Sequence, residues 1–287
     1  MIGVDWGTTS FRAFRLDKSG VIGRIERDGG IMQVQDGDFA AALRGAIGPW
    51  LAEGESRVLM SGMVGSRQGW VEAPYCPCPA GAGEIAGRLM PVAFEGAQVF
   101  VVPGLSAQDM GGVPEVMRGE ETQIIGAGAE GLVCLPGSHA KWAVVSGGRI
   151  EGFETYLSGE MFAAVRSATI LGRMMDEGPH DAQGFARGVS RSGDAGHLLH
   201  HLFGVRALGL FGGLSGAASA SYLSGLLIGT EIRAAMPRPA AVTLLGAPAL
   251  CGLYAQAIAA LGGFPTIGPS DCAASGLAFI GSLTPWN

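Results

Sequence analysis

The chain opens with the stretch MIGVDWGTTSFRAFRLD, residues 1–17. Its apolar spacing predicts two short strands, joined by a polar turn at residues 6–10. One glycine and three hydroxyl residues in that turn offer N–H and O–H donors with little steric bulk, which suits phosphate oxygens. Asp5, at the end of the first strand, is placed to hold a hydrated Mg²⁺ ion against those phosphates. The stretch therefore predicts a phosphate-binding hairpin.

The composition indicates a folded protein large enough for two lobes. The chain has 287 residues, of which 48% are hydrophobic and 15% charged. Its net charge of −6 argues against a nucleic-acid partner. No apolar run approaches the roughly 20 residues of a membrane span, and the first residues lack a signal-peptide pattern. Five scattered cysteines suit reduced thiols. We therefore expect a cytoplasmic protein without membrane or nucleic-acid partners.

The predicted elements follow one plan twice. In the first half, strands and helices are predicted at residues 2–5, 11–16, 21–27, 39–51, 57–62, 98–103 and 120–127. In the second half they are predicted at residues 131–136, 141–145, 149–157, 159–175, 215–235, 241–245, 249–261 and after 271. Residues 66–97 are rich in Pro and Gly and predict an insertion that carries local function. Periodicity alone predicts two α/β lobes.

The motif Asp-x-Gly-Thr-Thr-x-x-Arg between two strands resembles the first phosphate loop of the sugar kinase/actin/Hsp70 superfamily. The resemblance implies two ribonuclease-H-like lobes, which are duplicated mixed-sheet α/β domains, with an ATP and substrate cleft between them. It implies an N-terminal lobe over residues 1–126 and a C-terminal lobe over residues 127–287. The hairpin residues expected to contact ATP are Asp5, Gly7, Thr8, Thr9 and Arg12, with Asp5 also serving the metal.

A second glycine turn, LPGSHAKW, lies where the superfamily has its second phosphate loop. Gly137 permits close backbone approach, and Ser138 supplies a hydroxyl group. His139 or Lys141 is placed to stabilise negative charge on the transferring phosphoryl group. The turn departs from the Gly-Thr-Gly or Gly-Gly-Thr form of most relatives. A surface turn before a strand is the alternative interpretation.

The segment VTLLGAPAL has the pattern of a strand that runs into a glycine turn and a helix. The superfamily carries such a segment on the adenosine side of its nucleotide site. Gly246 would let the backbone approach the nucleotide there. Any strand–helix unit can turn on Gly-x-Pro, so an ordinary connection is the alternative.

The catalytic base is predicted among three carboxylates. A hydroxyl acceptor needs a carboxylate within hydrogen-bond reach to orient it and take its proton. The segment MRGEETQ resembles the Gly-Asp-Gln-Gln segment of glycerol-kinase-like enzymes, with Glu120 aligned on the Asp. Glu120 is the first candidate, Glu121 the second and Asp109 the third. The alternative is a charged first helical turn, which the helix dipole favours without any catalysis.

The segment SGMVGSRQGW predicts the acceptor pocket. Arg67 offers a planar fork suited to a carboxylate, Gln68 can pair with hydroxyl groups, and Trp70 can stack on a sugar face. These properties predict an acidic sugar as the acceptor. A surface loop with a shielding tryptophan is the alternative.

Together these strings resemble the 2-dehydro-3-deoxygalactonokinase family. The segments that carry the resemblance are DWGTTSFRAFRLD, SGMVGSRQGW, MRGEETQIIGA, LPGSHAKW, TYLSGE and SYLSGLLIGTE. The resemblance implies ATP-dependent phosphorylation of the 6-hydroxyl of 2-dehydro-3-deoxy-D-galactonate, a small 2-keto-3-deoxy sugar acid, in galactonate catabolism. Mg²⁺ is expected from the chemistry of phosphoryl transfer.

Two alternatives remain open at this point. One is a kinase for another small acid, either the gluconate epimer or pantothenate. The other is an ATP-driven switch protein of the actin/Hsp70 class, although the chain lacks the extra subdomains those proteins use. The configuration at C4 of the acceptor depends on hydrogen-bond geometry that a sequence does not fix. A homodimer is left open as well.

Overall fold

The computed structural model describes residues 1–286, which divide into two compact units. The first unit contains residues 1–130 and 143–153 and continues from Pro269 to the end of the described chain. The second unit contains residues 131–142 and 154–268. Because these units are defined by compactness and are discontinuous in sequence, the functional lobe boundary between residues 126 and 127 stays a prediction.

Strands dominate the first half of the chain. Its elements are β1 (Ile2–Trp6), β2 (Ser10–Asp17), β3 (Gly20–Asp28), α1 (Phe39–Ala52), β4 (Arg57–Ser61), β5 (Cys76–Pro77), β6 (Ala80–Gly81), α2 (Ala82–Ala86), β7 (Met90–Val92), β8 (Gln98–Val101), β9 (Leu105–Gln108), β10 (Pro114–Met117) and α3 (Glu120–Ala127). Short 3₁₀ turns also occur at Ile31–Gln33, Gln35–Gly37 and Met63–Gly65.

Helices dominate the second half. Its elements are β11 (Gly131–Leu135), β12 (Ala140–Ser146), β13 (Arg149–Tyr156), α4 (Ser158–Ala168), α5 (Ala182–Arg191), α6 (Leu198–Leu210), α7 (Gly216–Ala235), β14 (Ala241–Leu244), α8 (Pro248–Ala260), β15 (Phe264–Ile267) and α9 (Cys272–Leu283). A 3₁₀ turn lies at Gly172–Met174. No helix of the described residues is both long and apolar enough to span a membrane.

Two six-stranded sheets share the order of five of their strands. The first runs β3-β2-β1-β4-β8-β7, with β1 antiparallel to β2 and parallel to β4. The second runs β15-β14-β11-β12-β13-β6, with β14 parallel to both β11 and β15. Among the five shared strands, the first in sequence (β1 or β11) lies centrally, its two followers lie on one side, and the parallel strands lie on the other. The sixth strand is β7 beyond β8 in the first sheet and β6 beyond β13 in the second. The predicted duplicated ribonuclease-H-like plan is thereby confirmed. A third, small sheet has the order β10-β9-β5.

The side chains of strand β1 lie alternately on the two faces of the first sheet. Val4 and Trp6 lie in an apolar cluster with Leu43 of α1. Because side chains alternate along a strand, Gly3 and Asp5 face the other side. There a Cβ atom at Gly3 would lie 3.1 Å from Leu277 of α9. Asp5, near the end of β1, therefore lies on the side of the sheet that faces α9.

Helix α3 lies against α9 without side chains between the two backbones. A side chain at Gly276 would overlap the backbone carbonyl of Thr122, and one at Gly126 would overlap that of Cys272. Thr122 itself is fully buried. Helix α3 covers the predicted range, residues 120–127, and this packing fixes its position in the first unit.

The helix predicted over residues 159–175 is wrong in its second half. Helix α4 ends at Ala168, and the next residue, Thr169, is extended. The Thr169 hydroxyl donates to the carbonyl of Val165 at 2.7 Å and accepts from the N–H of Leu171 at 3.1 Å. A short hydroxyl side chain thus replaces backbone partners and ends the helix.

Two helices of the second unit, α5 and α6, have no counterpart in the predicted elements. A start signal for α5 was present in the sequence. The Asp181 side chain accepts a hydrogen bond from the backbone N–H of Gly184 at 2.6 Å, as an N-cap residue does.

We predict that Gly276→Ala lowers the free energy of unfolding by about 1–3 kcal/mol, because the added methyl group overlaps the Thr122 carbonyl. Urea unfolding followed by circular dichroism measures the change. The matched control is Gly45→Ala in α1, where a side chain meets no atom within 4 Å. That variant is expected to gain up to about 1 kcal/mol. Equal stability of Gly276→Ala and wild type would contradict the packing.

Candidate functional site

The end of β1 places a carboxylate between two neighbouring strands. Asp5 is the register partner of Arg12 on β2 and of Ser61 on β4. The Arg12 guanidinium forms an ion pair with Asp5 Oδ2. The Asp5 side chain is 13% exposed, so its carboxylate is screened from bulk water but not sealed. Asp5 and Arg12 therefore lie side by side in the predicted hairpin.

The turn at residues 7–10 is fixed through its backbone. Gly7 donates its N–H to the carbonyl of Ser10 at 2.9 Å and accepts from the N–H of Ile31 at 3.0 Å. A side chain at Gly30 would overlap the peptide that joins Thr8 to Thr9. The three hydroxyl residues of the turn are nevertheless exposed. This arrangement suits a loop that presents hydroxyl groups to an anion.

Two glycines bring the start of α3 onto the ends of β1 and β4. Gly62 and Gly119 have φ angles of +93° and +107°, which favour glycine. A Cβ atom at Gly119 would lie 3.2 Å from Cα of Gly62. A Cβ atom at Gly62 would in turn lie 2.8 Å from the carbonyl oxygen of Trp6 and 3.3 Å from Oδ1 of Asp5. Within the first unit, the N-terminus of α3 therefore lies at the strand ends that carry Asp5.

The two glutamates that begin α3 differ in environment. Glu120 is half-buried, and its carboxylate accepts from the backbone N–H of Arg118 at 2.9 Å. Glu121 is fully buried and accepts from the N–H of Gly119 at 2.7 Å and from the Thr122 hydroxyl at 3.0 Å. Burial, together with the negative charge of Glu120, raises the pKa of Glu121 to about 8. Only Glu120 keeps an exposed part of its side chain.

Asp109, the third candidate base, has a local backbone role. Its Oδ1 atom accepts from the N–H groups of Gly111 and Val113, each at 2.8 Å. These bonds close the turn between β9 and β10. Such capping by Asp is a common turn function and needs no catalysis to explain it.

The predicted acceptor residues separate into exposed and packed side chains. Arg67 is 86% exposed and forms an ion pair with Glu72 at 3.2 Å, and Gln68 is exposed as well. Trp70 is half-buried, with its ring centroid 6.2 Å from those of both Phe39 and Phe94. The indole therefore packs against the apolar cluster of the first unit.

Sequence reasoning missed Arg118, which joins the acceptor loop to α3. Its Nη2 atom donates to the carbonyl of Ala73 at 2.8 Å, and its guanidinium lies 4.4 Å from the centroid of the Tyr75 ring. Its position directly before Gly-Glu-Glu was the only available signal. Ser61 was also missed: it is 1% exposed, and its hydroxyl has no hydrogen-bond partner among the described residues.

In the second unit, the turn that follows β11 lies against the start of α4. A side chain at Gly159 would overlap the carbonyl of Gly137. The backbone N–H of Glu160 donates to the carbonyl of Ser138 at 3.0 Å, and the Glu160 carboxylate pairs with Nε2 of His139. Both members of that pair are exposed. A helix N-terminus, which favours anions, thus adjoins the predicted second phosphate loop.

Lys141 lies in the sheet at the base of this turn. The residue is 5% exposed, and its ammonium group donates to the Thr155 hydroxyl at 3.0 Å. Its charge is therefore held in place by β13, whereas His139 stands at the exposed tip of the turn.

Gly246 follows β14 and lies beside the same turn. Its φ angle is +136°, and a Cβ atom there would lie 3.5 Å from the carbonyl oxygen of Pro136. The N–H of Leu245 donates to the carbonyl of Cys134 at 3.0 Å, which aligns the ends of β14 and β11. The structure therefore brings the predicted adenosine-side turn and the second phosphate loop together.

A cavity of about 330 Å³ in the second unit extends from this turn, and the sequence did not reveal it. Its walls come from the phosphate turn, the start of α4, the segment before α5, and one face each of α7 and α8. The lining residues are Gly137, Ser158, Gly159, Phe162, Arg166, Gly178, Pro179, His180, Ala217, Ala220, Ser221, Ser224, Leu227, Ile228, Leu250, Leu253 and Tyr254. A mostly apolar cavity with a few polar groups suits a flat heterocycle.

Comparison with known proteins gives the same assignment. The family model for 2-keto-3-deoxy-galactonokinase matches residues 5–280. A probable 2-dehydro-3-deoxygalactonokinase of Rhizobium meliloti is 37% identical over 90% of this chain and 89% of its own length. The 2-dehydro-3-deoxygalactonokinase of Escherichia coli is 33% identical over 91% of this chain and 90% of its own length.

Solved structures agree with the sequence comparisons. A crystal structure from Sinorhizobium meliloti, provisionally described as a 2-dehydro-3-deoxygalactonokinase, has a TM-score of 0.92 at 34% identity and covers 99% of both chains. More distant structures, 12 to 15% identical, have TM-scores of 0.50 to 0.53 and share the fold alone. The match over nearly the whole chain confirms the resemblance, and the chain belongs to the 2-keto-3-deoxy-galactonokinase family.

Proposed function

We propose that this protein transfers the γ-phosphoryl group of ATP to the 6-hydroxyl of 2-dehydro-3-deoxy-D-galactonate. The products are 2-dehydro-3-deoxy-6-phosphogalactonate and ADP, in galactonate catabolism. The observation that carries the proposal is the family match over residues 5–280, which includes the glycine turns of both units. Membership in a kinase family implies ATP as the phosphoryl donor. The proposal also specifies the galactonate rather than the gluconate configuration at C4 of the acceptor.

The second unit is proposed to hold the nucleotide. Its cavity reaches Gly137 of the phosphate turn at one end and is walled by Leu250 and Leu253 of α8. The adenine ring would lie against the apolar wall, and the phosphates would lie at the N-terminus of α4. His139, at the exposed tip of the turn, would contact the phosphates, while Lys141 would add positive charge from within the sheet.

A magnesium ion fits the residues at the end of β1 only as a partly hydrated ion. The residues described, 1–286, contain no group of three His, Cys, Asp or Glu side chains able to hold a metal. Mg²⁺ commonly binds one carboxylate and takes its other ligands from water and phosphate oxygens. Asp5 provides that carboxylate, and Arg12 fixes its orientation. When bound, the ion would neutralise charge on the phosphates.

Glu120 is the proposed general base. A base must come within hydrogen-bond reach of the acceptor hydroxyl, and Glu120 is the glutamate of α3 with exposed surface. Both oxygens of Glu121 already accept bonds from buried donors, which gives Glu121 a structural role at the start of α3. The carboxylate of Asp109 closes a turn. The contacts therefore favour the first candidate of the three.

Arg67 is proposed to meet the carboxylate of the sugar acid, since its guanidinium is exposed on the loop that follows β4. Gln68 is exposed beside it and is proposed to bind hydroxyl groups. Trp70 is proposed to shape this loop from below, because its ring contacts Phe39 and Phe94. The exposed part of the Trp70 ring is proposed to stack on a face of the sugar.

The cellular setting is also a proposal. All five cysteines are free thiols in the structure, which is in line with a reducing compartment such as the cytoplasm. A homodimer stays a prediction.

We predict that Glu120→Gln lowers kcat by about 100-fold or more, because the amide cannot accept the proton of the 6-hydroxyl. Acceptor-dependent ADP release measures kcat, and calorimetry with ADP checks that nucleotide binding is unchanged. The controls are Glu121→Gln and Asp109→Asn, which are expected to keep kcat within a few-fold of wild type. If Glu120→Gln kept full activity and one control variant lost it, the general base would instead be the residue changed in that control.

We predict a pH-dependent difference in stability between wild type and Glu121→Gln. The pKa of Glu121 is raised from its ordinary value of 4.5 to about 8, so the folded chain retains a proton that the unfolded chain releases. The stability from protonated Glu121 is full below pH 4.5 and is lost as pH rises towards about 8. The stability of Glu121→Gln is not expected to fall in this way, because the glutamine side chain does not ionise. Urea unfolding at several pH values measures the difference, and parallel profiles would contradict the environment described for Glu121.

We predict that Ala220→Trp raises the dissociation constant for ADP at least about tenfold, because the indole would fill the cavity in the second unit. Isothermal calorimetry measures the constant. The matched control is Ala163→Trp on α4, an exposed position that does not line the cavity. Wild-type affinity in Ala220→Trp would place the nucleotide elsewhere.

A further inference from the structure

Glu231 is a buried carboxylate that the proposed chemistry does not use. It lies on α7 and is 3% exposed. Its Oε1 atom accepts from the indole N–H of Trp142 at 2.7 Å, and its Oε2 atom accepts from the hydroxyl of Tyr254 at 2.8 Å. The side chain of Ser158 is a third hydrogen-bond partner. One carboxylate thus gathers three donors in the interior of the second unit.

The three donors belong to three elements around the proposed nucleotide cavity. Trp142 is on β12, the strand that leaves the second phosphate turn. Ser158 begins α4, whose next residue, Gly159, lies on that turn. Tyr254 is in the middle of α8. Ser158 and Tyr254 themselves line the cavity. Glu231 therefore links the phosphate end of the cavity to its apolar wall.

The position of Glu231 on α7 matches this role. Ser224, Leu227 and Ile228 line the cavity from the same helix. Glu231 follows them at spacings of seven, four and three residues, so it continues the same helix face. Glu231 does not line the cavity itself, but it binds the side chains of Tyr254 and Ser158, which do.

Burial explains why the hydrogen bonds to Glu231 hold Trp142, Ser158 and Tyr254 in place. Burial raises the pKa of Glu231, while the bonds from Ser158, Trp142 and Tyr254 act in the opposite direction. Trp142 and Tyr254 are themselves buried, at 3% and 1% exposure. Removal of the acceptor would leave their donor groups buried without a partner, which is strongly unfavourable. The side chains would then move to find other partners.

We propose that Glu231 is a positioning residue for the nucleotide: it holds Ser158, Tyr254 and β12 in the arrangement that gives the cavity its shape. The inference rests on the proposed function, because it takes the cavity as the ATP site. It predicts that loss of Glu231 weakens nucleotide binding and leaves acceptor binding largely unchanged.

Three variants test the proposal against a purely structural role for Glu231: Glu231→Leu, Glu231→Gln and Ile232→Ala. Leucine keeps the apolar volume and removes both acceptor oxygens. Glutamine keeps a carbonyl for Trp142 and an amide that can donate to the two hydroxyl groups. Ile232, the next residue of α7, is fully buried and does not line the cavity, so its truncation removes core packing but no hydrogen-bond acceptor. Circular dichroism and thermal unfolding report whether each variant is folded.

The readouts are the dissociation constant for ADP by calorimetry and the KM values for ATP and acceptor. Glu231→Leu is expected to raise the ADP constant and the KM for ATP about tenfold or more, with the acceptor KM within about twofold. Glu231→Gln is expected to stay within about threefold of wild type in all three, and Ile232→Ala to bind ADP normally.

Wild-type ADP affinity in a folded Glu231→Leu would overturn the inference, as would equal loss in Ile232→Ala. Should Glu231→Leu not fold, Tyr254→Phe, which removes one donor only, takes its place and is expected to raise the ADP constant severalfold. Unchanged affinity in folded Tyr254→Phe would then overturn the inference. Failure of wild type itself to bind ADP would instead reject the proposed function, so the two failures are distinguishable.

Discussion

The structure depends on close backbone contact between a helix start and a turn at the end of a strand. In the first unit, Gly119 before α3 lies on Gly62 at the end of β4; in the second, Gly159 of α4 lies on Gly137 after β11. A side chain at Gly62 or Gly159 would overlap backbone atoms, and a Cβ atom at Gly119 would lie 3.2 Å from Cα of Gly62. The contact brings the positive end of a helix to the strand edge, where an anion is stabilised. The same device thus serves both copies of the duplicated plan.

The first unit also shows how neighbouring carboxylates acquire different tasks. Glu120 and Glu121 are adjacent, yet Glu121 is fully buried and bonded through both oxygens, whereas Glu120 is half-buried. Its burial, together with the negative charge of Glu120, raises its pKa, so it suits a neutral structural group at the start of α3. Glu120 keeps exposed surface and an orienting bond from the Arg118 backbone. Environment, rather than residue type, separates the proposed base from its neighbour.

The fold was largely predictable, because strand alternation and glycine turns are local signals. Both glycine turns and the range of α3 follow from residues within a few positions of one another. The cavity and its support were not predictable. Glu231, Trp142 and Tyr254 are far apart in sequence, and only the packing of α7 and α8 brings them together. The contacts of Trp70 were not predictable either: its ring lies beside Phe39 and Phe94, which are distant in sequence. Exposure and long-range contact are properties that no local pattern contains.

The most direct test of the central claim, that this chain is a sugar-acid kinase, is acceptor-dependent ADP release by the wild-type protein with ATP and Mg²⁺. The acceptors are 2-dehydro-3-deoxy-D-galactonate, its gluconate epimer, pantothenate and a blank without acceptor. From this claim we predict the highest kcat/KM for the galactonate compound and negligible ADP release in the blank. ADP release that does not depend on any acceptor would contradict it and would favour the switch-protein class.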